Sequence, residues 1–287
     1  MKVALIGADG QLGSELLKVL ARRATVIPLY YPEFDITRAQ QTRDVLSGLR
    51  PDLVINTAAF HRVDECEDNP QASFLVNAIA VRDLALAARG LGFALVHFST
   101  DYVFDGRKRR PYVEGDPARP LSVYGVSKLA GEFFLRTLLD KHFLVRTCGL
   151  YGVAGPREKG QNFVDRMLAL AGEGKTIRVI NDQWVTPTSA AELAERVAEL
   201  IHTRHYGLFH LTNEGECTWF EFAKEIFRQA GLNPRLEAID SRSYGARARR
   251  PRYSVLENKR AKELGLKGFS TWPAALAAYL EKKGALA

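Results

Sequence analysis

Tyr124 and Lys128 stand four residues apart in Tyr124-Gly125-Val126-Ser127-Lys128. On a helix this spacing projects a phenol and an ammonium from one face. Such a pair is common as surface decoration, but its chemistry is specific. A free phenol titrates near about 10, too high for a responsive acid–base group near neutrality. An adjacent ammonium, or the positive ring of an oxidised nicotinamide, favours the phenolate and lowers that value. A phenol so placed would protonate the alkoxide formed as hydride reaches a carbonyl carbon. Upstream, Ser99-Thr100-Asp101-Tyr102-Val103-Phe104 leaves a predicted strand. Thr100 there is placed to hydrogen-bond a substrate carbonyl and the Tyr124 hydroxyl. By itself the segment also reads as a turn whose Ser, Thr and Asp satisfy local backbone.

A third feature sits at the start of the chain. Gly7-Ala8-Asp9-Gly10-Gln11-Leu12-Gly13 follows a predicted strand directly and opens a predicted helix. Its first gap is one residue longer than the common dinucleotide-binding spacing, but the physical need is the same. One glycine turns the chain tightly, another lets backbone approach a pyrophosphate, and the last lets helix and strand pack closely. The helix N-terminus then offers unpaired amides to the phosphates. Glycine loop, strand-end threonine and Tyr–Lys pair, in that order, point to nicotinamide-dependent redox chemistry with NADPH or NADH. The second strand ends in Leu29-Tyr30-Tyr31, with neither the acid that favours a free ribose hydroxyl nor the arginine that favours a 2′-phosphate. Asp35 lies at the separation expected of a ribose-binding acid, but it also reads as an N-cap just ahead of Thr37. The preference between the two cofactors therefore stays open.

These residues need elements to hold them. Lys2–Ile6, Thr25–Leu29, Leu53–Asn56, Ala94–Ser99 and Phe143–Thr147 read as strands. Between them Leu12–Ala21, Thr37–Leu49, Gln71–Arg89 and Val123–Leu139 carry apolar residues at helical spacing. Such alternation predicts an α/β fold, a doubly wound parallel sheet of the Rossmann type, with helices on both faces. Residues 1–150 read as the dinucleotide-binding domain. Residues 151–287 read as a smaller C-terminal substrate-binding lobe, with segments at about 180–205 returning to the sheet. A glycine-rich segment from Gly149 to Gly160 opens this half. Helices near Asn162–Ala171, Ser189–Thr203, Trp219–Gly231 and Trp272–Lys282, strands at Ile177–Ile180 and Leu208–Leu211, and a long basic loop follow.

Composition narrows the class. Hydrophobic residues make up 46% and charged residues 25% of 287, which suits a globular protein with a sizeable core. No run approaches the length of a membrane span, and the chain reads as cytoplasmic, with neither signal nor transit segment. Cys66, Cys148 and Cys217 are scattered, without redox or metal spacing, so no metal is expected. The net charge of +7 and the runs Arg107–Arg110 and Arg247–Arg252 raise the question of nucleic acid. No aromatic-interleaved basic pattern or zinc signature accompanies them, so nucleic acid is not expected. A basic pocket for an anionic small molecule is the better use of the second run.

Taken together, the chain resembles the dTDP-4-dehydrorhamnose reductase family of extended short-chain dehydrogenases/reductases. The resemblance rests on Gly7–Gly13, Asp35-Ile36-Thr37, Arg50-Pro51-Asp52, Asn56, Val63-Asp64, Asn77, Ser99–Phe104 and Val123–Glu132. In the second half it rests on Asn162-Phe163, Asn181-Asp182-Gln183, Pro187-Thr188, Thr218-Trp219 and Ala248–Pro251. It implies reduction of the 4-keto group of a nucleotide-linked 6-deoxy sugar, and it leaves room for a homodimer. Implied cofactor contacts are Gly7, Gly10, Gln11, Leu12, Gly13, Asp35, Ile36, Ala58, Ala59, Asn77, Tyr124 and Lys128. Implied catalytic residues are Tyr124 as proton donor, Lys128 and Thr100. Thr100, Asp101, Asn162 and Arg250 are the implied substrate contacts, Arg250 toward the pyrophosphate.

Two departures touch the cleft. The family's Arg-Thr-Ser-Trp-Val-Tyr appears as Arg146-Thr147-Cys148-Gly149-Leu150-Tyr151, so an aromatic wall is missing and Tyr151 is the nearest replacement. The family's His-Thr pair after the third-strand alanines appears as Phe60-His61. Dehydratases carry an Asp-Glu pair after the strand-four threonine, whereas Asp101 is followed by Tyr102. The remaining alternatives are an epimerase of the same superfamily and a non-catalytic nucleotide-binding subunit.

Overall fold

The computed structural model describes residues 1–154 and 160–287. β1 (Lys2–Ile6), α1 (Gln11–Leu20), β2 (Thr25–Leu29), α2 (Ala39–Leu49) and β3 (Leu53–Asn56) open the chain. Two short helices, α3 (Val63–Asp68) and α4 (Pro70–Phe74), lead to α5 (Ala80–Leu91), β4 (Ala94–Thr100), α6 (Val123–Leu138) and β5 (His142–Thr147). The second half comprises β6 (Leu150–Tyr151), α7 (Phe163–Ala171), β7 (Ile177–Ile180), β8 (Trp184–Val185), β9 (Thr188–Ser189), α8 (Ala190–Leu200) and β10 (Gly207–His210). It ends with β11 (Cys217–Thr218), α9 (Trp219–Gln229), β12 (Leu236–Ile239), α10 (Ser241–Tyr244), α11 (Lys259–Glu263) and α12 (Trp272–Lys282). Of the glycine-rich segment expected from Gly149 to Gly160, residues 155–159 lie outside the described residues.

Six parallel strands form the main sheet in the order β10–β5–β4–β3–β1–β2. Successive strand residues point to opposite faces, and both faces are apolar. Val3, Leu5, Ile55, Val96 and Val145 pack under α1 and α8, while Ala4, Ile6, Val54, Leu95 and Leu144 pack under α2, α5 and α6. The fold is doubly wound α/β. Burial on both sides explains why the strands read as continuous apolar runs rather than as alternating ones. After β5 the chain returns to this unit with α8, which joins the core beneath α1, with β10, which adds a sixth strand beside β5, and with α11, whose Ala261 joins the same core.

A separate core lies in the second half, where Tyr151, Val164, Val179, Phe222, Ile226 and Leu276 pack together around the β7–β12 pair. The long basic loop holds more structure than its composition suggests, namely β12, α10 and α11. Their apolar content is too small and too short to register as periodicity. The helix expected over Gln71–Arg89 is also interrupted. Leu75–Ile79 forms a π-helical turn between α4 and α5, with Asn77 at its centre. The apolar residues stay in phase across that turn, so the interruption is invisible in the pattern. Among the described residues, no helix is long and apolar enough to cross a membrane.

Candidate active site

Strand direction gathers the candidates at one edge. The carboxyl ends of β1, β3 and β4 lie side by side, since these strands pair in parallel and in register. The glycine loop leaves β1 at that edge. Gly7 has φ +73, its N–H donates to Leu29 O at 3.0 Å, and a Cβ there would lie 2.7 Å from Thr57 Oγ1. At Gly13 a Cβ would come within 2.1 Å of Gly7 O, so α1 packs against the loop only as glycine. Gly10 is different. Its φ is −76, and a Cβ would meet nothing closer than Gly7 O at 3.4 Å. The fold therefore requires glycine at 7 and 13 but not at 10, where the absent side chain leaves room for something outside the protein. No side chain caps α1, which leaves its first amides for an anion.

Thr57, absent from the sequence-based candidates, latches this loop by donating bifurcated bonds to Ile6 O (2.8 Å) and Gly7 O (3.0 Å). Asp35 accepts from Thr37 N at 2.9 Å and from Thr37 Oγ1 at 2.7 Å. It closes a local turn and does not cap α2, whose N-cap position is Arg38. The following Ile36 is buried in the core. Ala58 and Ala59 lie partly buried just beyond β3, with Ala58 N bonded to Asn56 Oδ1 at 3.0 Å. Asn77 is buried, and both ends of its amide are engaged. Oδ1 accepts from Phe60 N (2.9 Å), while Nδ2 donates to Phe60 O (2.9 Å) and Ser127 Oγ (3.0 Å). Asn77 thus fixes the 58–60 backbone and ties it to α6. Gln11 likewise spends its amide inside the protein, accepting from Gly152 N at 3.0 Å.

Tyr124 and Lys128 lie on α6, which Ser122 caps by accepting from Gly125 N. Two glycines let this helix approach closely: a Cβ at Gly125 would lie 2.4 Å from Tyr102 O, and one at Gly131 would lie 2.2 Å from Asn77 O. Seated there, Tyr124 lies beside Thr100 at the end of β4 and packs edge-on against Tyr102, with ring centroids 6.0 Å apart. Burial pushes the Tyr124 phenol above its ordinary range, and the neighbouring Thr100 hydroxyl acts in the opposite direction. This corrects the expectation that Lys128 lowers the phenol directly. Lys128 is itself buried and donates from Nζ to Phe98 O at 2.6 Å. Burial depresses its amine to about 8, against the influence of Glu132.

Asp101 is buried, with Thr100 Oγ1 donating to its Oδ1 at 3.0 Å and Cys148 Sγ to its Oδ2 at 3.1 Å. Burial raises its carboxyl to about 6, although hydrogen bonds from Ser254, Cys148 and Thr100 oppose the shift. Asn162 is not presented to this edge as a free side chain. It caps α7 through Asp165 N (3.0 Å) and donates to Gly152 O and Tyr279 Oη, both at 3.0 Å. Arg250 forms a two-pronged ion pair with Asp64 on α3, at 2.9 and 3.2 Å, and neighbouring Arg247 pairs with Asp68. The second basic run therefore lies against α3, close enough for Arg250 to influence Tyr102.

At the first departure, Gly149 has φ +53, and a Cβ there would lie 3.2 Å from Pro187 Cα. The turn is built around glycine. Tyr151 does not replace the missing wall, being 1% exposed in the second core against Phe222 and Tyr279. Sequence reasoning also missed His97, Ser127 and Cys148. Each is an ordinary residue in an apolar or helical stretch, and only the tertiary contact reveals its place.

A glycine loop opening the first helix of a doubly wound sheet, with a tyrosine–lysine helix seated on the strand-four threonine, defines an extended short-chain dehydrogenase/reductase. Residues 1–284 match the family model described as the RmlD substrate binding domain, and the chain belongs to that family. It is 42% identical over 278 residues to a dTDP-4-dehydrorhamnose reductase of Streptomyces griseus, covering 94% of this chain and 90% of the relative. A dTDP-4-keto-6-deoxy-D-glucose reductase of Streptomyces niveus is 38% identical, with 94% and 93% covered. Among solved structures, dTDP-4-dehydrorhamnose reductase of Bacillus anthracis in complex with NADP superposes with a TM-score of 0.94 at 36% identity, covering 98% of this chain and 99% of that one.

Proposed function

We propose that this protein uses NADPH or NADH to reduce the 4-keto group of dTDP-4-dehydro-L-rhamnose, giving dTDP-L-rhamnose. The observation that carries this reading is the meeting of Tyr124 and Thr100 at the carboxyl end of β4, on the same sheet edge as the glycine loop. The full-length similarity to reductases of this class supports the substrate.

The residues present fit a dinucleotide. The open position at Gly10 and the uncapped α1 suit a pyrophosphate against the backbone of Gly7, Gly10, Gln11, Leu12 and Gly13. Asp35 and Ile36 would meet the adenosine end, and Ala58 and Ala59 would line the path, held by Asn77. Tyr124 and Lys128 would flank the nicotinamide ribose. When bound, the reduced nicotinamide supplies the hydride. The protein's part is the proton. Tyr124 donates to the C4 oxygen as charge develops there, a positioned acid being worth roughly 10²–10⁴ in rate. Thr100 keeps the phenol aimed. Burial keeps the phenol protonated until an alkoxide, a far stronger base, arrives. Arg250 would reach the substrate pyrophosphate from its place against α3, and a second basic group, Arg247, stands beside it. Asp101 would meet the sugar next to Thr100. Asn162 would act from a distance, by holding α7.

The test is NADPH and NADH oxidation by the purified protein with a panel of dTDP-4-keto-6-deoxy sugars, with product stereochemistry read by NMR. Dinucleotide binding without oxidation by any member would overturn the reductase reading in favour of a binding subunit. A second reading, reduction of dTDP-4-keto-6-deoxy-D-glucose, is supported by the 38% identity to a reductase of that sugar. The same panel separates the two.

A further inference from the structure

A buried polar chain runs beside the candidate site and is not used by the reaction as described above. Asn56 on β3, His97 on β4 and Lys128 on α6 lie in sequence: Asn56 Nδ2 is 3.3 Å from His97 Nδ1, and His97 Nε2 is 3.5 Å from Lys128 Nζ. Asn56 and His97 are each 1% exposed. The direction of each hydrogen bond follows from one fixed point. The N–H of Ala58 donates to Asn56 Oδ1 at 3.0 Å, so the amide must turn its NH₂ toward His97. His97 Nδ1 therefore accepts. Burial holds the imidazole neutral, so its single proton sits on Nε2, the nitrogen that faces Lys128. An ammonium has three donors and no acceptor, so a charged Lys128 would meet another N–H head-on. A free amine has a lone pair for His97 Nε2–H and still has hydrogens to donate to Phe98 O.

We infer that His97 is a positioning residue for Lys128: by presenting a ring N–H to Nζ, it favours the free-amine form of that lysine in the protein without ligand. The other charged and titratable groups around the amine are few. Glu132, four residues along α6, favours the ammonium, but its carboxylate is already paired with Arg146 of β5 at 2.9 and 2.6 Å. Tyr124 lies on the same helix, and Cys66 and Asp101 face Tyr124. Of the side chains named, His97 is the one that presents a hydrogen to Nζ. On the reductase reading, on which this consequence rests, an amine poised near neutrality can take up and return a proton beside the nicotinamide ribose.

The test reads Lys128 without asking for turnover. The protein is labelled at the lysine ε-carbons, Lys128 is assigned by the resonance missing from Lys128→Arg, and its titration is followed by NMR. The wild-type midpoint is expected near 8. His97→Gln can offer a carbonyl oxygen to the amine and should raise the midpoint by about one unit, tenfold in the protonation equilibrium. Asn56→Asp should do the same with His97 in place, because a carboxylate reverses the imidazole and turns Nε2 into an acceptor. If His97→Gln does not fold, His97→Asn, which removes the same ring N–H, is read in its place. A midpoint unmoved in a folded His97→Gln or His97→Asn protein overturns the inference. A shift in Asn56→Asp beside an unmoved His97→Gln also overturns it, since the new charge would then act without the histidine. Failure of the reductase reading would leave these titrations unchanged, so the two are distinguishable.

Discussion

Replacing Gly10 with valine separates the cofactor site from the fold. At φ −76 and ψ 172 the position is open to any residue, and a Cβ would meet only Gly7 O, at 3.4 Å. Gly10→Val should therefore change unfolding free energy by less than about 1 kcal/mol. The same substitution at Gly13 drives a Cβ to 2.1 Å from Gly7 O, and overpacking of that kind costs at least about 1–3 kcal/mol. For a pyrophosphate the order reverses, because the space at Gly10 is where it would approach the amides of α1. Losing one charge-assisted hydrogen bond costs about 1.5–3 kcal/mol, which is roughly 10- to 150-fold in affinity. Urea unfolding followed by circular dichroism gives the first quantity, and NADPH fluorescence titration gives the second. A folded Gly10→Val protein that binds NADPH as tightly as wild type would refute the placement of the site. So would a loss of stability at Gly10 equal to that at Gly13, because the glycine would then be structural.

Tyr124→Phe should lower single-turnover reduction by roughly 10²–10⁴-fold while NADPH affinity stays within about twofold; near-wild-type turnover would remove Tyr124 as the acid. Arg250→Gln should raise KM for the nucleotide sugar with little change in kcat, and added salt should narrow the gap between the two proteins; equal KM values would remove Arg250 from the pyrophosphate. Arg146→Met should destabilise the fold by about 3–5 kcal/mol in urea unfolding, because it strands the buried Glu132 carboxylate; adding Glu132→Gln should recover part of that loss. Asp101 carries a carboxyl raised from 3.8 to about 6, so the folded state holds its proton more tightly than the unfolded chain. Stability should fall as pH rises through that window, by roughly 3 kcal/mol for about two units. The slope should be smaller in Asp101→Asn, and unfolding curves at several pH values check it.

Legibility from sequence followed the length and regularity of the signal. The five strands of the first half and the longer helices of both halves were visible as apolar runs and helical periods, since burial on both faces writes a continuous pattern. The π turn at Leu75–Ile79 was not, because its cause lies elsewhere in the chain: the Asn77 amide bonds the Phe60 backbone. Among the candidate site residues, Gly7, Gly13, Thr100 and Tyr124 could be placed because a turn, a close approach or a strand end fixes each position locally. Lys128 was placed beside Tyr124 by helical spacing, but its direction depends on where Phe98 O and His97 stand, which spacing does not encode. Asn162 was expected at the sugar, and its contacts are a helix cap and two bonds within the C-terminal lobe.

A tyrosine and a lysine four residues apart arise by chance on many helices, and here the residues between and around them give the pair its setting. Gly125 admits the Tyr102 carbonyl and brings the first turn of α6 onto the end of β4, which puts the phenol beside Thr100. Gly131 admits the Asn77 carbonyl and brings the same helix onto the π turn. Ser127 completes the seat, bonded to Asn77 Nδ2 and to Ser73 Oγ. Asn77 in turn holds the Phe60 backbone beyond β3, so the helix that carries the proposed acid and the loop that would border the cofactor are fixed by one buried amide. A larger residue at either glycine would lift α6 away from β4 and part Tyr124 from Thr100 without touching the reactive groups. The reactive pair and its two glycines therefore act as one unit, and the spacing of all four along α6 carries more information than the tyrosine and lysine alone.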